Sequence, residues 1–512
     1  MGFKNNNRNQ IDLLGYSLND FVPKNAKCRF VVDLIKQLDL SNLYERYSSQ
    51  GNDAYEPSAM LAAWFYGYCE SVFTTRKLEE RCCRDVYFMY VSSNLRPDHS
   101  SLSRFRKNNK NLMSGYFVQI IRLAWEKGLS DFKEIAIDCS KIQASSSANH
   151  LKNAEELEKA LKRVRADIDD YMKKAELLDD DDDDINNLPK LRYKIKELRK
   201  MEKELAKNQR LLNKRRQKIK PDYRARHKIN CAEEDCRVMD KVNGRQKLPA
   251  YNAQLSVDTA SQLIVANEAV SDSVDFNQFK RQREYVEHNL GSSKQRSYVA
   301  DAGYHNLDQL EYIFSHNIDA IIASPNNPRP LTDKPTKYFS QRQFIYNDDG
   351  DYYRCPNGEK LTYTNNYNKS NRWHGRIYSS TACVQCTLKS KCISPKAASK
   401  FIRRENRQHY AEKMLQQSCS VEGRARLKRR FINSESVFGN LKHNLGFRRF
   451  YMKGLNAVNA ELNLLCIAHN INKLFKLGLI FSNCYSRCIK NIWHSFQRTI
   501  LIMQKPLGAF SF

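Results

Sequence analysis

Two short apolar runs each end on an aspartate: Ile135-Ala136-Ile137-Asp138 and Tyr298-Val299-Ala300-Asp301. Runs of this length and kind read as buried strands. Asp also starts turns well, so Asp138 alone is equally a turn residue. The second run repeats the arrangement, and Gly303 after it gives the backbone a tight exit. Two strands of one sheet, each ending in an acid, bring two carboxylates together. Such a pair repels strongly unless a cation or a shared proton compensates.

The pattern around these runs is that of an α/β fold. AYNAQLSVDTASQLIVANEAV reads as two strands around the turn DTASQ, and VDFNQFKRQREYVEHNLG as a helix. RSYVADAGYHNLDQLEYIFSHNIDAIIAS reads as strand, turn, helix, strand. Strands at 134–138, 297–301 and 319–323, with helices between them, imply a mixed sheet with helices on both faces. Asp258 shapes the hairpin turn, and Glu268 and Asp272 read as surface or loop acids.

Other segments have other periods. Residues 1–130 read as an N-terminal helical domain, in which Arg104 and Arg106 give one helix a basic face for DNA. Within the α/β domain expected over 131–475, residues 150–220 carry heptad spacing at Leu157, Leu161, Val164, Ile168, Tyr171, Ala175 and Leu178. The spacing breaks at Asp179–Asp184 and resumes through Leu191, Ile195, Leu198, Leu205 and Leu212. This is a long antiparallel helical hairpin insert, and its acidic turn is a solvated loop. Residues 476–512 form a tail of packing type.

Charge narrows the partners. The chain of 512 residues has 85 Lys and Arg against 57 Asp and Glu, a formal net charge of +28. That excess predicts a polyanion, nucleic acid first. No run of 18 apolar residues occurs, the N-terminal stretch has no signal-peptide core, and position 6 is Asn, which does not fit myristoylation. A membrane partner is therefore not expected, and a cytoplasmic location is. Fifteen Cys without an export signal read as reduced thiols.

A basic protein with paired carboxylates points to Mg²⁺, which takes a few carboxylates and keeps its other positions for water or phosphate. A third acid is expected, and SESVFGNLK supplies Glu435 at a helix start, with Lys442 two turns on. Arg429, Arg430, His443, Arg448 and Arg449 surround it. Between the last strand and Glu435, over 345–400, lies a small Cys-rich β insert. Its Cys355, Cys383, Cys386 and Cys392 are four thiols fit for a structural zinc, or reduced and unligated, with His374 as a substitute ligand.

PDHSSLSRFR, IDCSKIQASSS, YNAQLSVDTASQLIVANE, VADAGYHN and ESVFGNLK followed by GFRRFYMKGLNAVNAELNLLCIAHNINKLF occur in this order. Together they resemble bacterial insertion-sequence transposases of the DDE class, the insertion sequence 1182 group, over about residues 50–475. The resemblance implies an RNase H-like fold and makes Asp138, Asp301 and Glu435 the metal-binding triad. It implies two-metal phosphoryl transfer with Mg²⁺ or Mn²⁺, the ions about 3.5–4 Å apart. The substrate it implies is double-stranded DNA, at element ends and target, bound by a homodimer. Lys442 matches a basic position that contacts the DNA end in relatives, and Arg429, Arg430, Arg448 and Arg449 join it as DNA contacts. The chain departs from the pattern at Phe431 and Ser434. A repurposed, non-catalytic DNA-binding protein and a metal-dependent nuclease are the alternatives.

Overall fold

A computed structural model of the chain describes residues 2–4, 7–11, 15–47, 53–179, 188–217, 219–240, 242, 247–325, 338–370 and 373–479. The acidic turn at Asp180–Asp184 and the tail beyond residue 479 lie outside them.

Among the described residues up to 126 the regular elements are helices: α1 Leu18–Phe21, α2 Lys27–Gln37, α3 Ser41–Tyr44, α4 Pro57–Cys69, α5 Thr75–Arg84, α6 Val86–Val91, α7 His99–Asn108 and α8 Met113–Glu126. Their ends follow from local chemistry. Pro57 opens α4 without losing a hydrogen bond. Asp85 and Asp98 cap α6 and α7 through their side chains.

Strand β1 Glu134–Gln143 follows, then β2 Leu151–Lys152 and the helices α9 Ala154–Asp179, α10 Leu188–Gln217 and α11 Pro221–Arg224. Next come β3 Ile229–Asn230, β4 Arg237–Met239, β5 Leu248–Asp258, β6 Ile264–Val270 and α12 Gln278–Leu290. The chain continues through β7 Ser297–Ala300, α13 Leu307–Ser315, β8 Ala320–Ile322, β9 Ile345–Asn347, β10 Tyr352–Arg354, β11 Lys360–Ser370 and β12 Trp373–Ser379. It closes with α14 Lys389–Cys392, β13 Ile402–Glu405, α15 Gln408–Cys419, α16 Val421–Gly439, a π-helical turn Asn440–Asn444 and α17 Leu455–Lys476. None of the described helices is long and apolar enough to cross a membrane.

Two compact units result. The first holds the described residues of 1–274, 282–293 and 433–479, and the second those of 275–281 and 294–432. In the first unit β5 is antiparallel to β1 along one edge and to β4 and β6 along the other. Asp258 closes the β5–β6 turn, as expected: its Oδ2 accepts from Ser130 Oγ (2.7 Å) and from Ser261 N–H (2.8 Å). Helix α17 is buried nearly all round, between the N-terminal helices α2, α4 and α8 and strand β6. The N-terminal helices belong to the same compact unit as β1, β5 and β6. In the same unit α9 and α10 pack through Leu157, Leu161, Val164, Ile168, Leu198, Leu205 and Leu212, the heptad seam.

In the second unit β7 and β8 pair in parallel. A separate antiparallel sheet runs in the order β13-β12-β11-β10-β9 over a small core of Phe344, Tyr353, Leu361, Tyr378 and Ile402.

Candidate active site

Asp138 sits in the middle of a strand, not at its end. β1 continues five residues past it because β5 stays paired through the register Asp138–Leu255 to Gln143–Ala250. The carboxylate is 6% exposed, and its Oδ1 accepts from the Cys139 N–H at 2.8 Å. The outer half of β1 is tied to the chain that follows Glu435. Lys442 Nζ donates to the Lys141 carbonyl (2.8 Å), Phe450 N–H to the Gln143 carbonyl (2.8 Å) and Arg449 Nη2 to the Ser145 carbonyl (2.7 Å). Burial holds the Lys442 ammonium below the ordinary lysine range, while the nearby Cys139 and Glu435 push it back up. Glu435 itself is exposed near the end of α16. It does not share a regular helical face with Lys442, because α16 stops at Gly439 and Lys442 stands in the π turn.

In the second unit Asp301 follows β7 and caps a short turn, its Oδ1 accepting from the Gly303 N–H at 2.9 Å. Its Oδ2 lies 3.7 Å from Arg430 Nη2. A Cβ at Gly303 would come within 3.0 Å of Asp301 Oδ1 and 3.2 Å of Asp275 Oδ2. The glycine therefore answers to a crowded carboxylate, and its backbone angle needs no special freedom. Asp275 is a second acid here that no motif or spacing singles out. Arg426, four residues before Arg430 on α16, pairs with Asp319 (2.8 Å) and reaches the Tyr298 carbonyl (3.4 Å). Among the described residues, no group of three or more His, Cys, Asp or Glu is arranged to hold a metal ion.

The four thiols of the β insert belong to this second unit. Cys355 opens the CPNG turn, its carbonyl accepting from the Gly358 N–H (2.9 Å). Cys383 lies in a 3₁₀ turn and Cys392 ends α14. Cys355 and Cys392 pack against the small core. Burial pushes the Cys392 thiol up, and Cys383, Cys386 and Cys355 add to the shift, so all three lie within electrostatic reach of it.

Comparison with known families places two segments. Residues 16–108 match the family described as Transposase domain (DUF772). Residues 354–475 match the Transposase DDE domain. The two matches indicate a transposase of the DDE type. No curated protein matches the chain. The DDE match spans Glu435, Lys442 and the Cys cluster, while Asp138 and Asp301 fall outside both matched segments.

A transposase acts on DNA, so its cations matter. Arg104, Arg429, Arg448 and Arg449 are exposed. Arg106, expected on a DNA-facing surface, is buried. Its guanidinium lies 4.4 Å from the Trp64 ring and donates to Tyr68 Oη (3.3 Å) and the Phe73 carbonyl (3.2 Å). Tyr68 in turn donates to Glu461 Oε1 (3.2 Å), a carboxylate with no exposed surface. A buried acid needs a nearby cation or donors, and Arg106 is that cation. Arg430 is also buried, at 9% exposure, and its pairing with Asp301 makes it a neighbour of the acid instead of a surface contact. Glu268, read as a surface acid, is buried in β6 and accepts from Tyr285 Oη (3.2 Å).

Proposed function

We propose that this transposase cuts and joins double-stranded DNA at the ends of an insertion sequence, with Asp138, Asp301 and Glu435 holding divalent Mg²⁺ or Mn²⁺. The observation that carries this reading is the DDE-domain match across Glu435, together with the three bonds that tie the following chain to the strand bearing Asp138. The donor chemistry fits a hard cation: all three side chains offer carboxylate oxygens, and each aspartate already has one oxygen oriented by a backbone N–H. A bound divalent cation would neutralise charge on the scissile phosphate. The chain's own part is positioning. Lys442, held by the Lys141 carbonyl, presents a partly desolvated ammonium beside Glu435, and Arg448 and Arg449 offer exposed cations for the backbone. The fold is read as RNase H-like on the DDE-domain match. The DNA-bound form is read as a homodimer, in a bacterial cytoplasm.

The test is Mg²⁺-dependent cleavage and joining of DNA carrying the element's ends, with Asp138→Ala alongside. Loss of both reactions by at least about 1000-fold, with binding kept within a few-fold, supports the reading. Equal cleavage by the variant overturns it, and cleavage without joining points to a nuclease. The four thiols are read as a structural zinc site on their donor chemistry and on the packing of Cys355 and Cys392 against one small core. Purified protein should then carry about one zinc per chain, lost in Cys383→Ser.

A further inference from the structure

The helical hairpin plays no part in the chemistry above, and its two helices differ sharply in charge. α9 carries six Lys and Arg against eight Asp and Glu. Three of its cations are in ion pairs: Lys162 with Glu158, Lys174 with Asp170, and Arg165 with Glu202 on the opposing helix. α10 carries twelve Lys and Arg against three Glu.

Their placement is not scattered. At about 100° per residue, Arg192, Lys196, Arg199, Lys200, Lys203, Lys207, Arg210 and Lys214 fall within an arc of about 100°. No acidic residue of α10 falls in that arc. All eight are exposed. The buried seam of α10, with Leu198, Leu205 and Leu212, lies on another side of the helix, so packing against α9 leaves the stripe facing outward. Lys207 pairs with Glu234, and Arg199 Nη2 donates to Met172 Sδ on α9 (3.4 Å). From Arg192 to Lys214 the stripe runs roughly 33 Å at 1.5 Å per residue. That is close to one turn of duplex, about 34 Å.

A solvated hairpin needs only a mixture of charges on its outer face. Eight like charges in one row repel one another, and a row of that kind is a footprint for a polyanion of matching length. We infer that α10 is a DNA-binding arm that lays this stripe along the phosphate backbone of duplex DNA. The inference rests on the transposase reading. The contacts are electrostatic, so the arm adds affinity without reading sequence.

The test uses the full chain and a fluorescent duplex carrying the element's end, titrated across a range of salt. One variant replaces Lys196, Arg199, Lys200, Lys203 and Arg210 with Gln. A second replaces Lys159, Lys162, Arg163, Lys173 and Lys174 of α9 with Gln, removing the same charge from the same arm. All ten positions are exposed and Gln keeps the helix. Circular dichroism and Tm check that both variants fold. The stripe variant should lower the slope of log affinity against log salt by about 4, and affinity at low salt at least about 100-fold. The α9 variant should change the slope by less than about 1. Equal losses in both variants, or an unchanged slope in the stripe variant, overturn the arm while leaving the transposase intact. Tighter binding to single-stranded RNA or anionic vesicles than to the duplex also overturns it. A wild-type chain that binds no duplex at all sinks the transposase reading and the arm together.

Discussion

Helices α10 and α17 are both long and both rich in polar residues, and they use them in opposite ways. α10 buries one seam and leaves its cations in a solvent-facing row. α17 is buried nearly all round, and several of its asparagines pair with strand β6. Asn470 accepts from the Ile264 N–H (2.9 Å) and donates to the Ile264 carbonyl (2.8 Å). Asn459 does the same at Ala269 (2.8 and 3.1 Å), and Asn463 accepts from Asn267 (3.1 Å). Side-chain amides on α17 thus do for β6 what a neighbouring strand's backbone does elsewhere. An unpaired strand edge inside a protein is costly and invites wrong pairing, and here a helix covers it. The comparison separates polar groups that fix a structure from polar groups kept available to a partner.

The sharpest way to break the comparison is to empty the α17 ladder. Asn459→Leu with Asn470→Leu strands four buried backbone groups and should cost about 5 kcal/mol, measured by urea unfolding. A loss under about 1 kcal/mol would mean the amides are incidental. Acid should act next. Burial holds His469 down to about 4, neutral, with Nε2 on the Gln262 carbonyl (2.9 Å). The unfolded chain protonates this ring first as pH falls, so its contribution is complete above about 6.5 and shrinks towards pH 4. The total loss should approach about 3 kcal/mol. His469→Gln should flatten that part of the stability–pH curve. In the hairpin, Leu161→Ala opens a seam with far less protein around it. It should cost about 2 kcal/mol and show first as faster proteolysis between α9 and α10. Smallest of all, Lys200→Gln on the stripe should move stability by less than about 0.5 kcal/mol while still reducing the salt slope of DNA binding by about 0.9.

The same contrast explains what could be read in advance. The hairpin seam was legible because heptad spacing is a local pattern, and the expected Leu157, Leu161, Leu198, Leu205 and Leu212 all lie in the buried core. The β5–β6 turn at Asp258 was legible because Asp with Ser261 is local turn chemistry. Arg106 was misjudged because its partners, Trp64, Tyr68 and Glu461, are brought to it by folding. Glu268 was misjudged likewise: its partner Tyr285 lies on the next helix. The length of β1 beyond Asp138 escaped because CSKIQ shows no apolar run, and pairing with β5 overrode that. The asparagines of α17 look like ordinary surface residues until a strand edge is placed against them.

The π turn after Gly439 has a geometric consequence. The Leu445 N–H bonds the Asn440 carbonyl five residues back, so this turn holds one residue more than regular winding would. That surplus residue acts as a phase adjuster for everything downstream. Removing it would rotate Arg448 and Arg449 by about 100° about the helix axis and uncouple the Gln143–Arg449 bridge. The alignment of the basic loop with the strand bearing Asp138 therefore depends on an off-count of one, and a length change there should be far less tolerated than a substitution.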